Sequence, residues 1–138
     1  MKLRFETPSD GWMAIQLNDR EMAVSDIPCD SLMMLTSALA GILSGSPSEI
    51  IEWSLEPEYA AWIFSRSGPN LTFSLREDSG SEAIVIERNE PTVIVDQILA
   101  ALSDLSECDF WVKDAEDLHI WSWPFPANEL NRLKSKRE

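Results

Sequence analysis

Residues 48–88 read SEIIEWSLEPEYAAWIFSRSGPNLTFSLREDSGSEAIVIER. Apolar and polar residues alternate through four short runs, at 49–55, 59–65, 71–76 and 83–88. A period of two residues is typical of strands that bury one face. The separators are short and rich in Pro, Gly, Ser and Asn, which favours an antiparallel meander over parallel crossovers. The alternation assigns these residues to the core face: Ile51, Trp53, Leu55, Leu71, Phe73 and Leu75.

The segment that precedes the meander predicts a hairpin and a helix. Residues 11–25 alternate on either side of Asn18 and Asp19, which supply a turn. Asp30 then offers a helix cap, and apolar residues recur at helical spacing until Gly45 ends the segment. Gly41 lies inside this predicted helix, where glycine is unfavourable, so we expect a close contact between helix and sheet at that position.

A second helix is predicted over 90–105, where Pro91 begins a stripe of buried residues. Beyond it, residues 114–117 are typical of an acidic loop, and 118–123 of a strand. Pro126 opens a short amphipathic helix, and residues 132–138 are expected to form a frayed basic tail. The whole pattern predicts one α+β domain spanning 1–138: an antiparallel meander of about five to seven strands, two main helices on one face, and a short C-terminal helix.

The composition excludes several classes of function. The chain has 138 residues, with 24 acidic against 11 basic residues and a net charge of −13. Residues 1–131 carry 23 acidic and 7 basic residues, a net charge of −16, because four bases lie at the C-terminus. This charge opposes direct binding to nucleic acid or to an anionic membrane. No apolar stretch is long enough for a signal peptide or a membrane span, so a cytoplasmic location is expected.

No motif in the sequence indicates a catalytic centre or a cofactor-binding site. There are one His, two Cys and five Gly, too few for most metal, haem, P-loop or dinucleotide sites. His119 stands alone, with no GxSxG motif to supply a nucleophile. Carboxylates are so numerous that no particular acid and base pair stands out. We therefore expect a protein that is not an enzyme and that holds no cofactor or metal.

Three segments give the chain a resemblance to a class of bacterial proteins. They are the helix predicted over 30–45, the run IIEWSLEP at 50–57, and the ending WPFPANEL at 123–130. In this layout the chain resembles the small acidic immunity proteins of polymorphic-toxin and contact-dependent growth-inhibition systems. The resemblance implies tight, non-catalytic neutralisation of a cognate toxin, often a basic nuclease. It transfers no binding residue to this sequence.

Charge and aromatic content indicate which residues would bind a basic protein partner. Carboxylates supply the charge complementarity, and tryptophan is a common apolar anchor of interfaces. Trp121 and Trp123 are two positions apart, so a strand would place them on one face with His119. That face is either an exposed anchor or covered by a helix. The expected partner-binding residues are Glu52, Glu56, Glu58, Asp114, Glu116, Asp117, Trp121 and Trp123.

Two other functions stay open at this stage. The first is a small-molecule-binding domain or enzyme with an aromatic pocket around Trp121, Trp123 and His119. The second is an assembly or secretion adaptor that acts through a sheet edge or a homodimer surface. The acid excess itself also has a simpler explanation, because negative charge keeps proteins soluble. The sequence is compatible with either a monomer or a homodimer.

Overall fold

A computed structural model describes residues 1–108 and 121–137. Within them, seven antiparallel strands form one sheet whose spatial order follows the chain, and three helices accompany it. The α+β meander with two main helices and a short C-terminal helix is therefore confirmed. The strands are β1 (Leu3–Phe5), β2 (Trp12–Leu17), β3 (Arg20–Ser25), β4 (Ser48–Ser54), β5 (Tyr59–Ser67), β6 (Asn70–Arg76) and β7 (Ile84–Asn89). The helices are α1 (Ser31–Leu43), α2 (Pro91–Ser106) and α3 (Ala127–Arg137).

Cross-strand register builds the core that the alternation predicts. Ile51 of β4 pairs with Trp62 of β5, and Trp62 pairs with Leu75 of β6. All three side chains are buried. Aromatic rings pack together at the centre of this layer. The centroid of the Trp62 ring lies 5.1 Å from those of both Trp53 and Phe73, and each pair is edge-to-face. Such pairs add to the stabilisation from buried apolar area.

The sheet curls strongly. Phe5 of β1 lies 6.1 Å from Trp53 of β4 and 6.2 Å from Trp62 of β5, measured between ring centroids. In a flat sheet β1 and β4 would be about 14 Å apart, because adjacent strands are spaced by about 4.8 Å. The first three strands therefore fold over the later ones, and the apolar side chains of both halves share one core.

A gap opens between β3 and β4. These two strands pair only through Ser25 and Ser54, whereas β3 pairs with β2 along its whole length. Helix α1 connects them in the chain, and its Ser31 hydroxyl donates a hydrogen bond of 2.8 Å to the Glu52 carbonyl of β4. Beyond the Ser25–Ser54 pair, β3 and the β4–β5 turn diverge and leave space between them.

Helix α1 matches the helix expected from its caps. The Asp30 carboxylate accepts a 3.2 Å hydrogen bond from the Met33 backbone N–H, the usual geometry of an N-cap. At Gly41, a side-chain Cβ would lie 1.9 Å from Oε1 of Glu49 on β4. The predicted close approach of helix and sheet at Gly41 is therefore confirmed.

The C-terminal segment differs from its prediction in two respects. Helix α3 continues to Arg137, so the expected frayed tail from residue 132 is wrong. The Arg137 guanidinium donates hydrogen bonds of 2.7 and 3.0 Å to the two carboxylate oxygens of Asp96 on α2, and this holds the pKa of Asp96 below its ordinary value. Residues 121–123 form a bend rather than a strand. The rest of the predicted strand and the loop at 114–117 lie outside the described residues.

Candidate functional site

The gap beside β3 contains a cavity of about 590 Å³. Its floor is apolar: Ile15, Leu17 and Leu75 are buried side chains of the sheet, and Met22 and Leu55 are partly exposed beside them. A volume of this size is within the usual range for a binding site. The cavity lies where the interior of the curled sheet opens to solvent.

Acidic residues surround this apolar floor. Five of them line the cavity, and Arg20 is the one basic residue among its described lining residues. Glu21 pairs with Gln16, so its side chain is on the face of the sheet opposite Ile15 and Leu17. The Arg20 guanidinium contacts the Glu77 carboxylate in an exposed ion pair. We call this site the acidic cavity. Its acidic residues are Glu21, Glu56, Glu58, Glu77 and Asp78.

The order of the strands explains why these acids meet. Successive strands of a meander reverse direction, so the β2–β3, β4–β5 and β6–β7 turns all lie at one end of the sheet. Each of these three turns carries or adjoins acidic residues, whereas the β5–β6 turn at the opposite end is formed by Gly68 and Pro69. The cavity is therefore built from residues that are far apart in the chain.

Local hydrogen bonds fix the backbone at the rim. The Leu55 N–H donates a 2.7 Å bond to the Glu58 carbonyl and closes the β4–β5 turn. Glu56 lies within this turn at φ 46°, a left-handed conformation that costs energy in a residue other than glycine. The Asp78 carboxylate forms its hydrogen bonds within its own loop: Oδ1 accepts 2.9 Å bonds from the Gly80 N–H and the Ser81 hydroxyl.

Glu56 and Glu58 have carboxylates without a partner among the described residues, as does Glu21 on the other face of the sheet. Both residues are exposed. Within residues 1–108 and 121–137, neither carboxylate takes part in a hydrogen bond or an ion pair. These two side chains are consequently free to meet a cationic group.

The structure brings together only some of the expected partner-binding residues. Glu56 and Glu58 lie on the rim of the acidic cavity. Glu52 is exposed on the opposite face of β4, because its neighbours Ile51 and Trp53 point into the core. Asp114, Glu116 and Asp117 lie outside the described residues, as does His119 of the expected aromatic pocket.

The two tryptophans face the protein rather than a partner in this conformation. Trp121 is 4% exposed and belongs to the core. Trp123 is partly buried, and its indole N–H donates a 2.5 Å hydrogen bond to the Asp26 carbonyl. The burial of Trp121 agrees with the covered arrangement, one of the two that the sequence left open.

Arg20, Glu21, Glu77 and Asp78 are site residues that the sequence reasoning missed. Acidic residues lie at the β2–β3, β4–β5 and β6–β7 turns, but Glu6 and Asp10 also lie in the β1–β2 connection at the other end of the sheet. The sequence alone therefore does not distinguish this group, which is set apart by the gap beside β3.

Neither a metal group nor a membrane helix is found in the described part of the chain. Among those residues, no three or more His, Cys, Asp or Glu side chains are placed to hold a metal ion. No helix there is both long and apolar enough to cross a bilayer.

Comparison with protein-family models, with curated proteins and with solved structures finds no significant match for this chain. The function is therefore inferred from the geometry and charge of the acidic cavity.

Proposed function

We propose that this chain is a non-catalytic inhibitor that binds and neutralises a basic protein, in the manner of an immunity protein acting on a toxin. The partner would be a basic protein such as a toxin nuclease domain, met in the bacterial cytoplasm. The chain would act without a cofactor and without direct contact to nucleic acid or membrane.

The acidic cavity is the observation that carries this proposal. Five acidic residues line one apolar recess, with a single basic residue, Arg20, among its described lining residues. Like charges gathered at one site repel one another. A cationic partner would relieve the repulsion and gain apolar contact at the floor, so the arrangement is better explained by a ligand than by solubility alone. Charge complementarity of this kind mainly raises the association rate and the specificity.

The test is affinity capture of the tagged protein from its native cells, with a salt step to elute bound proteins. We expect one basic protein in stoichiometric amount, toxic when produced alone and harmless when co-expressed with this chain. Binding should weaken as the salt concentration rises, because ions screen the interaction. A basic partner with no toxicity would favour the adaptor function instead, and an acidic or neutral partner would contradict the proposal.

Substitution separates the cavity from the rest of the acidic surface. Glu56→Lys with Glu58→Lys should abolish protection of cells from the toxin. Asp104→Lys with Glu107→Lys is the charge-matched control: both residues are exposed, and Glu107 precedes Cys108, whose thiol lies 3.5 Å from the Thr7 hydroxyl beyond the end of β1. That site is at the end of β2 opposite the β2–β3 turn. Equal loss of protection in both variants would show that only the total charge matters.

A second candidate function is binding of a small cationic molecule, which the volume and apolar floor of the same cavity favour. The polyamine spermidine is a suitable probe, and specific binding would raise the melting temperature. If spermidine stabilised the wild type and not the Glu56→Lys, Glu58→Lys variant, and no protein partner were captured, this function would replace the inhibitor.

A further inference from the structure

We infer that the acidic cavity receives an extended segment of the partner that carries arginine or lysine, and that this segment pairs with the free edge of β3. The inference rests on the proposed function, because it takes the partner to be a basic protein. The partner would bind at the edge of β3, in an extended conformation, and would present basic side chains to the cavity.

The edge of β3 is suited to strand addition. From Arg20 to Val24 no strand of the described chain lies beside β3 on the side of β4, since the two strands pair only at Ser25 and Ser54. Backbone N–H and C=O groups along such an edge are a template for another strand. Glu21 and Ala23 are exposed, and Arg20, Glu21 and Met22 line the cavity beside this edge.

The outer edges of the described sheet are less suitable. Strand β1 has three residues, which offers few backbone groups. Strand β7 has a register shift opposite Phe73 and Ser74, and irregularities of this kind protect an edge from pairing. Strand β3 keeps a regular register over six residues. Of β1, β3 and β7, only β3 contributes residues to the lining of the acidic cavity.

The cavity determines which side chains the added segment would carry. Alternate side chains of the segment would point toward the floor formed by Leu17, Leu55 and Leu75. An arginine or lysine there can lay its aliphatic stem on the apolar floor while its charged head reaches Glu56 or Glu58. An acidic segment would meet five carboxylates and be repelled.

Arg20 would compete with the incoming cation. It is the cavity's own guanidinium and contacts Glu77, so it neutralises one carboxylate of the rim in the free protein. Its replacement by glutamine should therefore tighten binding of a basic segment. Arg88→Gln is the matched control, because Arg88 is exposed on β7 and bonds to Thr72, on the face of β6 opposite Phe73.

The experiment uses a synthetic probe with the intact protein. The probe is the capped hexapeptide Val-Arg-Val-Arg-Val-Arg, compared with the same peptide N-methylated at every residue, which keeps its charge and removes the donors of both edges. We expect N-methylation to weaken binding about tenfold, the equivalent of one or two lost hydrogen bonds. Amide chemical shifts should change along β3, Arg20→Gln should bind several-fold more tightly, and Arg88→Gln should bind like the wild type.

Two results would overturn the inference. Equal affinity for the methylated and unmethylated peptides would exclude strand pairing. Equal tightening by Arg20→Gln and Arg88→Gln would show attraction to net charge rather than binding in the cavity. The proposed function fails separately: it is refuted if the captured partner is not basic, even where the peptide binds along β3. Conversely, a basic toxin that binds equally well to Glu58→Gln and wild type would refute the cavity mode and leave the inhibitor function standing.

Discussion

Asp26 is a buried carboxylate that attaches the C-terminal segment to the sheet. It is 5% exposed, and its Oδ2 accepts hydrogen bonds of 2.7 Å from both the backbone N–H and the hydroxyl of Ser122. Asp26→Ala would leave both donors without a partner, so we expect a loss of about 2–3 kcal/mol in the free energy of unfolding. Urea denaturation measures this loss. Ser122→Ala removes only the hydroxyl and should cost about 1 kcal/mol; equal costs for both variants would contradict the assignment.

Asp30 gives a pH-dependent prediction. Partial burial raises the pKa of this carboxyl above its ordinary value of 3.8, the Met33 N–H opposes the shift, and repulsion from Glu129 adds to it. The folded protein therefore binds the proton more tightly than the unfolded chain does. Stability from this group is greatest at low pH and falls as the pH rises from 3.8 through the folded pKa.

Asp30→Asn keeps an N-cap acceptor and never ionises. We expect this variant to be at least as stable as the wild type at neutral pH, with its relative advantage decreasing as the pH falls through the folded pKa of Asp30 toward 3.8. Asp30→Ala should lose about 1 kcal/mol at neutral pH, because the cap is removed, and more at acidic pH, where the wild type gains stability from the protonated carboxyl. Urea denaturation at neutral and acidic pH measures both variants. An advantage of Asp30→Asn that grew on acidification would contradict the sign of the pKa shift.

Asp30 and Asp26 differ in whether the sequence reveals what their side chains bind. Asp30 could be recognised as a cap because a cap acts within three residues of itself. Trp121 and Trp123 were expected on one strand face, and that prediction is wrong because residues 121–123 bend against Asp26. Nothing near Trp123 in the sequence reveals that its partner, Asp26, is almost a hundred residues away.

At the scale of elements, Arg66 of β5 supports the end of α1. Helix α1 has no basic residue in its last turn. Arg66 supplies the cation: its guanidinium donates to the Ile42 carbonyl, and its Nε donates a 3.0 Å bond to the Ser46 carbonyl. A positive charge at a helix C-terminus is stabilising, and so are charge-assisted hydrogen bonds to free carbonyls.

Arg66→Met keeps most of the stem and removes the guanidinium. We expect it to lower the free energy of unfolding by about 1–2 kcal/mol. Arg88→Met is the control, since Arg88 is exposed and should change stability by less than about 0.5 kcal/mol. Hydrogen exchange should report faster opening of the last turn of α1 in Arg66→Met only. Similar behaviour of the two variants would mean that the contact with Ile42 contributes little.

The elements themselves were largely predictable, because each depends on a local period. The four runs of the meander and both main helices follow from periods of 2 and 3.6 residues. Helix α3 was underestimated because its last turn is basic and lacks apolar residues. Its continuation to Arg137 depends on the ion pair with Asp96 of α2, a contact that no local pattern encodes.

At the scale of the molecule, the curl of the sheet and the gap beside β3 decide the candidate site. Neither feature follows from the alternation, which fixes the face of each residue but not the bending of the sheet. All six expected carboxylates were chosen by their charge and expected exposure. Three of them lie in the described chain, and of these Glu56 and Glu58 reach the acidic cavity. Glu52 does not, because one position along β4 is enough to change the face.

The acidic cavity should reduce the stability of the free protein for the same reason that it binds a cation. A variant with Glu56→Gln and Glu58→Gln retains the Arg20–Glu77 ion pair and lowers the negative charge at the cavity. At low ionic strength we expect its free energy of unfolding to exceed that of the wild type by roughly 1 kcal/mol. The gain should shrink at high salt, where screening already weakens the repulsion.

Urea denaturation at low and high NaCl concentration measures this gain, and binding of the basic probe peptide is measured on the same samples. The variant should be more stable and should bind the peptide more weakly, since the groups that repel one another are the groups that attract the ligand. A variant that was less stable at low salt would show that these carboxylates stabilise the fold. In that case their position would need no partner to explain it.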